Sequence, residues 1–361
     1  MMQRLEFGWY LPTSGDTTCY GDPACQVPPS LELFDRVIGA AEAAGFEYFL
    51  IPVTAACWEA WVTSAMMLAR HSRIRALVAA KPGFIKPTMM AKMISTFDQL
   101  SGGRVCVNLI AGQSEAELRA DGILTAKEDR YAQMEEDVRV MKALWNATGP
   151  IDFDGRFTSL TNAQVQPKPL QPGGPRFYLG GGSRDAWEVS ARHSDVHLFW
   201  GDTPERIGAN MAEIRAMAAQ HGRAETLQFG MRLQIICRET EDRAWAAAHE
   251  LLRGATDEQT SRLQRNIANS AANLRVQELR ATHGDLIAPH MWTGVSKVRA
   301  GAGIVVVGNP VQCAETLQRF IDLGCTSFCL SGYTHDAEAE RFGRLVRPLL
   351  LERNGHRMAA A

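Results

Sequence analysis

TFDQLSGGRVCVNLIAGQ, residues Thr96–Gln113, carries a helix end, a tight turn and a buried strand in one sweep. From Thr88 to Leu100 the apolar residues Met89, Met90, Met93, Ile94, Phe97 and Leu100 recur at helical spacing. Ser101-Gly102-Gly103 stops that helix where positive φ costs little. Val105, Cys106, Val107, Leu109 and Ile110 then form an apolar run too short for a helix, the pattern of a parallel strand covered on both faces. Asn108 interrupts the run. In a closed parallel barrel the side chains at the C-terminal strand ends face the mouth where ligands sit. Asn108 is therefore either a site residue or an amide that caps the strand's backbone.

Outward from this stretch, short apolar runs alternate with amphipathic helices. Leu5–Leu11 is a first strand, followed by a loop, Pro12–Pro29, too long for a mere connector and of the kind that shapes a pocket. Helices are expected at Leu31–Ala44, Glu59–Ala69 and Arg130–Trp145, and strands at Tyr48–Ile51 and Ile74–Ala79. Residues 149–166 turn at Asp154-Gly155 and read as an inserted hairpin. Further strands fall at Arg176–Leu179, Asp195–Phe199, Gln228–Cys237 and Thr326–Leu330. Eight strands in this rhythm favour an α/β fold of the (β/α)8 TIM-barrel type, one domain over 1–361. A doubly wound sheet is disfavoured, since no G-x-G-x-x-G follows the first strand. Residues 255–300 break the rhythm: Glu258–Leu279 is polar and helix-like, and a Gly-rich stretch follows. The segment is expected to be a mobile lid over the barrel mouth. The terminal Met358–Ala361 is expected to fray.

A chain of 361 residues, 46% hydrophobic and 22% charged, can bury a large core. A formal net charge of −2 with mixed signs offers no field for nucleic acid or for a membrane surface. No apolar run approaches the roughly 18 residues of a membrane span, and MMQRLEFGWYLP lacks a signal-peptide core, so the cytoplasm is the expected compartment. Eight cysteines (Cys19, Cys25, Cys57, Cys106, Cys237, Cys313, Cys325, Cys329) without C-x-x-C pairs point to free thiols, and nothing resembles a metal site.

The candidate chemistry sits at strand ends. Gly180-Gly181-Gly182-Ser183 follows the fifth strand and opens a helix; backbone N–H groups and a hydroxyl at a positive helix end suit a phosphate, though a plain strand-to-helix turn has the same look. Trp200 closes the sixth strand. Arg232 lies in the alternating seventh strand, FGMRLQIIC, where a buried lone charge asks for an anion. Arg299, between Gly294 and Gly301, is either solvated surface or a guanidinium that swings onto a bound anion. Two such groups converging would suit a phosphate, carboxylate or sulfonate. Tyr333 and His335 in LSGYTH are either proton donors or relays, or hydrogen-bonded loop residues; Cys57 is a possible small buried hydrophobe.

Several segments together resemble the bacterial luciferase-like two-component flavin monooxygenases, and within them the alkanesulfonate monooxygenase branch. They are WYLPTSGD (Trp9–Asp16), Pro52–Trp61 with Cys57, DQLSGGR with NLIAG, RYAQMEEDVRVMKALW with FDGRF, YLGGGS, Phe199-Trp200-Gly201, GMRLQIICRET, HMWTGVSKVRAGAG and LSGYTH. DQLSGGR is shared by the wide superfamily; the contexts of Trp200, Arg232, Arg299 and Tyr333 belong to the sulfonate branch. The resemblance implies a barrel that takes reduced FMN from a separate NAD(P)H-dependent flavin reductase, uses O2 as co-substrate and releases sulfite and an aldehyde from a small anionic sulfonate. By the same resemblance Arg232, Arg299 and Trp200 grip the sulfonate and the flavin peroxide, Tyr333 hydrogen-bonds in the site and Cys57 lines it. Asn108, Tyr131, Gly181, Gly182 and Ser183 hold the flavin and its phosphate. A homodimer or homotetramer is implied as well.

One departure matters. Where the alkanesulfonate members carry histidine, two residues after the strand arginine, this chain has Gln234, which donates and accepts but cannot change charge. The loops around Ser14 and from Cys19 to Gln26 differ too. Together these differences suggest a hydroxylated substrate such as the sugar sulfonate sulfoquinovose, since amide and hydroxyl donors suit sugar hydroxyls; Gln234 and His335 are read as substrate contacts beside Trp200, Arg232, Arg299 and Tyr333. The rivals are a sulfone monooxygenase, whose neutral substrate needs no pair of arginines, a deazaflavin-dependent hydride-transfer enzyme and a catalytically silent flavin-binding barrel.

Overall fold

The structure, a computed structural model, describes residues 4–112, 115–267 and 270–358. Gln113 of the opening stretch, part of the 255–300 segment and the last three residues of the expected frayed end lie outside it. Eight parallel strands close a barrel in chain order: β1 (Glu6–Tyr10), β2 (Tyr48–Ile51), β3 (Arg75–Ala80), β4 (Val105–Leu109), β5 (Phe177–Leu179), β6 (Val196–Trp200), β7 (Gln228–Arg232) and β8 (Cys325–Leu330). Closure is made by β8 on β1, with Glu6 opposite Ser327 and Trp9 opposite Leu330. The expected (β/α)8 architecture is what the chain adopts.

Period-two alternation separates the two sides of the barrel wall. Phe7, Trp9, Phe49, Ile51, Ala76 and Val78 point outward into the large core shared with the helices, whereas Tyr48, Leu50, Leu77, Cys106, Tyr178, Val196, Leu198 and Cys329 fill the interior with Tyr10 against them. Gly8 has a clear reason to be glycine, because a Cβ there would sit 2.0 Å from the Tyr48 ring that occupies the barrel centre. Inward positions at the C-terminal ends, by the same alternation, include Tyr10, Asn108, Trp200 and Arg232.

The DQLSGGR stretch turns out to be scaffold. The helix Pro87–Ser101 ends with Gly102 and Gly103 at φ +66° and +81°. Asp98 is fully buried and accepts from the backbone N–H groups of Leu170 and Gln171 at 2.7 and 3.0 Å, while Arg104 donates to the carbonyls of Ser101, Leu68, His71 and Ile74. Both ionic groups are thus consumed in tying loops below β4, at the end of the barrel away from the mouth.

Two sequence expectations change. The seventh strand was expected to run from Gln228 to Cys237, but it leaves the barrel at Leu233. Ten residues would extend some 33 Å at about 3.3 Å each, longer than its neighbours. Gln234–Cys237 pairs instead with Val305–Gly308, an apolar strand the sequence reading did not assign, in a four-stranded sheet completed by Met291–Trp292 and Leu286–Ala288. Glu258–Leu279 is two helices, Asp257–Ile267 and Ala271–His283, rather than one. Residues Ile151–Asp154 and Ser159–Ala163 pair as an antiparallel hairpin. All eight cysteines are free thiols, and among the described residues no helix is long and apolar enough to cross a membrane.

Candidate active site

Tyr10, the last inward residue of β1, is the centre of the mouth, and the sequence reading missed it. The Cζ of Arg232 lies 4.8 Å and that of Arg299 5.6 Å from its ring centre, close enough for cation–π attraction. Arg232 is buried at the end of β7 and donates to the carbonyl of Leu233 at 2.7 Å and to Ser331 Oγ at 3.0 Å. Arg299 is half-buried, on a segment fixed by its own N–H donating to the Val295 carbonyl and by the Gly301 N–H donating to Asn273 Oδ1. Neither arginine forms an ion pair with a carboxylate among the described residues. Burial pulls the Arg232 guanidinium below its usual range. Burial acts the same way on Arg299, but the phenols of Tyr333, Tyr20 and Tyr10 outweigh it and hold that guanidinium above its usual range. Burial pushes the Tyr10 phenol up, against the pull of Arg299 and Arg232.

The remaining predicted mouth residues gather around this stack. Tyr333 is buried and accepts a hydrogen bond from the Tyr20 hydroxyl at 2.9 Å; its ring stands edge-on to those of Tyr20 and His335, 5.5 and 5.2 Å away. Cys57, 3.1 Å from Thr54 Oγ1, is near enough to act on Tyr10 electrostatically. Trp200 is the register partner of Arg232 across β6 and β7. Gln234 is differently employed: its side chain is fully buried in the four-stranded sheet and its amide nitrogen donates to the Ala302 carbonyl at 2.5 Å, bracing the segment that carries Arg299. The alternation Glu6-Phe7-Gly8-Trp9-Tyr10 was the signal that could have placed Tyr10 inside. Nothing in the sequence pattern could have joined Tyr20 or Asp16 to the far loop at Tyr333–His335.

A second group of predicted residues assembles beside it. Ser183 caps the helix Arg184–His193, its Oγ accepting from the Ala186 N–H at 3.3 Å, and the Tyr131 side chain lies near it. Gly181 leaves room for the Tyr131 hydroxyl, 3.1 Å from where its Cβ would be, and a Cβ on Gly182 would enter open space. Asn108 Oδ1 is buried and finds no hydrogen-bond partner, an acceptor that a bound donor would satisfy. Open backbone at a helix start, two hydroxyls and an orphaned amide oxygen fit the phosphate and polar ring edge of a flavin.

Residues 5–327 match the luciferase-like monooxygenase family, well over half of the chain. The protein is a member of that family. Solved structures of the same fold include EDTA monooxygenase from Chelativorans sp. BNC1, with a TM-score of 0.79 and 19% identity over 98% of this chain and 94% of that one. Riboflavin lyase, solved with modified FMN and riboflavin, matches with a TM-score of 0.78 and 17% identity over 97% and 92%. An F420-dependent secondary alcohol dehydrogenase bound to an F420-acetone adduct matches with a TM-score of 0.68 and 16% identity over 96% and 99%. At these identities the likeness establishes the luciferase-like barrel.

Proposed function

We propose that this luciferase-like protein is a reduced-FMN-dependent monooxygenase that cleaves the C–S bond of an organosulfonate, releasing sulfite and an aldehyde. The observation that carries the reading is the pair of guanidiniums, Arg232 and Arg299, meeting at Tyr10 with no carboxylate ion-paired to either among the described residues. A sulfonate is a weakly basic anion with three oxygens, and several charged donors are needed to take it out of water. Arg232 and Arg299 bind its oxygens, Trp200 borders the same pocket and Cys57 lines it. Asn108, Tyr131, Gly181, Gly182 and Ser183 hold the flavin. When bound in its reduced form, the flavin supplies the two electrons by which O2 is divided between substrate and water.

The 255–300 segment acts as the lid. Its helix Ala271–His283 is pinned beside the mouth by Arg275, which donates to both oxygens of Asp202, two residues beyond Trp200, at 2.7 and 3.0 Å. Closure there would exclude water from the reacting groups. The phenols of Tyr10, Tyr20 and Tyr333 and the imidazole of His335 make the pocket rich in hydrogen-bonding groups, which favours a hydroxylated sulfonate such as sulfoquinovose. An NAD(P)H-dependent flavin reductase supplies the flavin. The protein works as a homo-oligomer, a reading supported by the exposed apolar side chains of Val62, Met66 and Met89.

The test supplies a flavin reductase, NADH, FMN and a sulfonate panel and measures sulfite. Release from any panel member supports the reading, and release from sulfoquinovose supports its narrower form. Oxidation of sulfones alone, or tight retention of F420 without oxygenation, would replace it.

A further inference from the structure

Beside the arginines lies a pair that anion binding leaves without a task. Asp16, in the loop after β1, is buried; its Oδ2 accepts from the backbone N–H of His335 at 2.7 Å and its Oδ1 lies 2.8 Å from His335 Nδ1. The Thr17 N–H also donates to Oδ1, at 2.8 Å, so the carboxylate is held from three directions. A carboxylate accepts, so Nδ1 carries the hydrogen and Nε2 keeps the lone pair of the neutral ring. That ring packs 5.7 Å from Tyr10, the residue both guanidiniums face, and 5.2 Å edge-on to Tyr333. Both the chain contacts and the ring contacts therefore fix the imidazole at the mouth.

We propose that His335 Nε2 is the proton acceptor of this site and that Asp16 is the positioning residue that sets its tautomer and orientation. The inference rests on the organosulfonate reading. There a sulfonate R–CH2–SO3−, O2 and the two-hydrogen reduced flavin become R–CHO, HSO3−, oxidised flavin and water, and the carbon that bore sulfur gives up one hydrogen as a proton. In this assignment one oxygen atom of O2 is first placed between carbon and sulfur; the C–H bond then breaks towards Nε2, its electron pair becomes the second carbon–oxygen bond, the O–S bond breaks with its pair on sulfur, and the proton passes on to the departing sulfite. The neighbouring side chains do not serve as well. Gln234 does not titrate and is bonded to Ala302, the guanidiniums are cationic, and burial pushes the Tyr10 phenol up.

The titratable and charged groups around His335 are Asp16 and Tyr20 from the loop after β1, Tyr10 from β1, Tyr333 from its own loop, and Arg232 and Arg299 from β7 and the insertion. Asp336, next in its own helix, is paired with Arg36.

Asp16→Asn should lower kcat by roughly 10²–10⁴-fold with little change in KM, because the amide can donate to Nδ1 and so turn the lone pair the wrong way. Asp16→Glu should recover part of the rate, and His335→Gln should lower kcat at least as far as Asp16→Asn. A readout independent of substrate is the two-bond ¹⁵N–¹H spectrum of the imidazole, which should show His335 protonated at Nδ1 in the native chain and not in Asp16→Asn. An Nε2-protonated His335, or an Asp16→Asn enzyme with native rate, overturns the inference while sulfite release still stands. Absence of sulfite from every sulfonate removes the functional reading instead, and the spectrum still decides the pair.

Discussion

Arginine, buried or half-buried, lines both ends of this barrel, and the two ends treat it in opposite ways. At the floor, Arg75 and Arg176 converge on Glu6, with contacts of 2.6 and 3.4 Å, and the Tyr178 hydroxyl donates to the same carboxylate. Burial would raise the Glu6 carboxyl, yet Arg176 and Arg75 hold it below the ordinary carboxylate range. At the mouth, the partners of Arg232 and Arg299 among the described residues are carbonyls, a serine hydroxyl and phenols, with no carboxylate ion pair. A buried charge neutralised in place is part of the scaffold; one left for something else to neutralise marks a site.

Exchanging roles across the two ends gives the largest expected effects. Arg232→Ala should lower kcat/KM for the sulfonate by about 10³-fold or more, since a desolvated anion loses a charged donor. Its melting temperature should hold or rise, because the residue removed has no carboxylate partner. Kinetics near native would take Arg232 out of the anion site. Glu6→Ala should do the reverse: removing the one acid between two arginines costs about 3–5 kcal/mol of stability in urea unfolding. The folded fraction should keep its kinetics at the mouth. A Glu6→Ala protein as stable as the native chain would mean that the floor charges are solvated and that the contrast between the ends is false.

The sequence made the barrel readable because its signal is local. Apolar runs such as Tyr48–Ile51 and helix stops such as Gly102-Gly103 depend on neighbours within one or two turns. It misled where a strand changes partner, since Gln228–Cys237 is one continuous apolar pattern and only packing decides that Leu233 leaves the barrel. At the site, the polar residues breaking apolar strands, Asn108 and Arg232, were visible because each violates its pattern. Tyr10 obeys its pattern and so was passed over. The Asp16–His335 pair joins positions 319 residues apart, a contact that closure of β8 on β1 creates and no spacing foretells.

Arg299→Lys sharpens the difference between the two mouth arginines. Lysine keeps the charge but loses the planar fork and the stacking on Tyr10, so kcat/KM should fall by about 10–100-fold, less than for loss of Arg232. An equal loss for both would place them in one rigid cradle; no loss would assign the sulfonate to Arg232 alone.

The smallest effect is in acid, and it belongs to the floor. Because Glu6 has a folded value below the 4.5 of an unperturbed glutamate, its stabilising contribution is fully present above that pH. It is lost as pH falls through the folded value. The native chain should therefore lose stability below about pH 4.5, while Glu6→Gln, which never carries the charge, should start lower and show a shallower decline over the same interval. Arg232→Ala should keep the native slope there, since no carboxylate at the mouth depends on it. If the slope instead followed Arg232, the mouth would hold a paired acid after all, and its arginines would be scaffold like those beneath them.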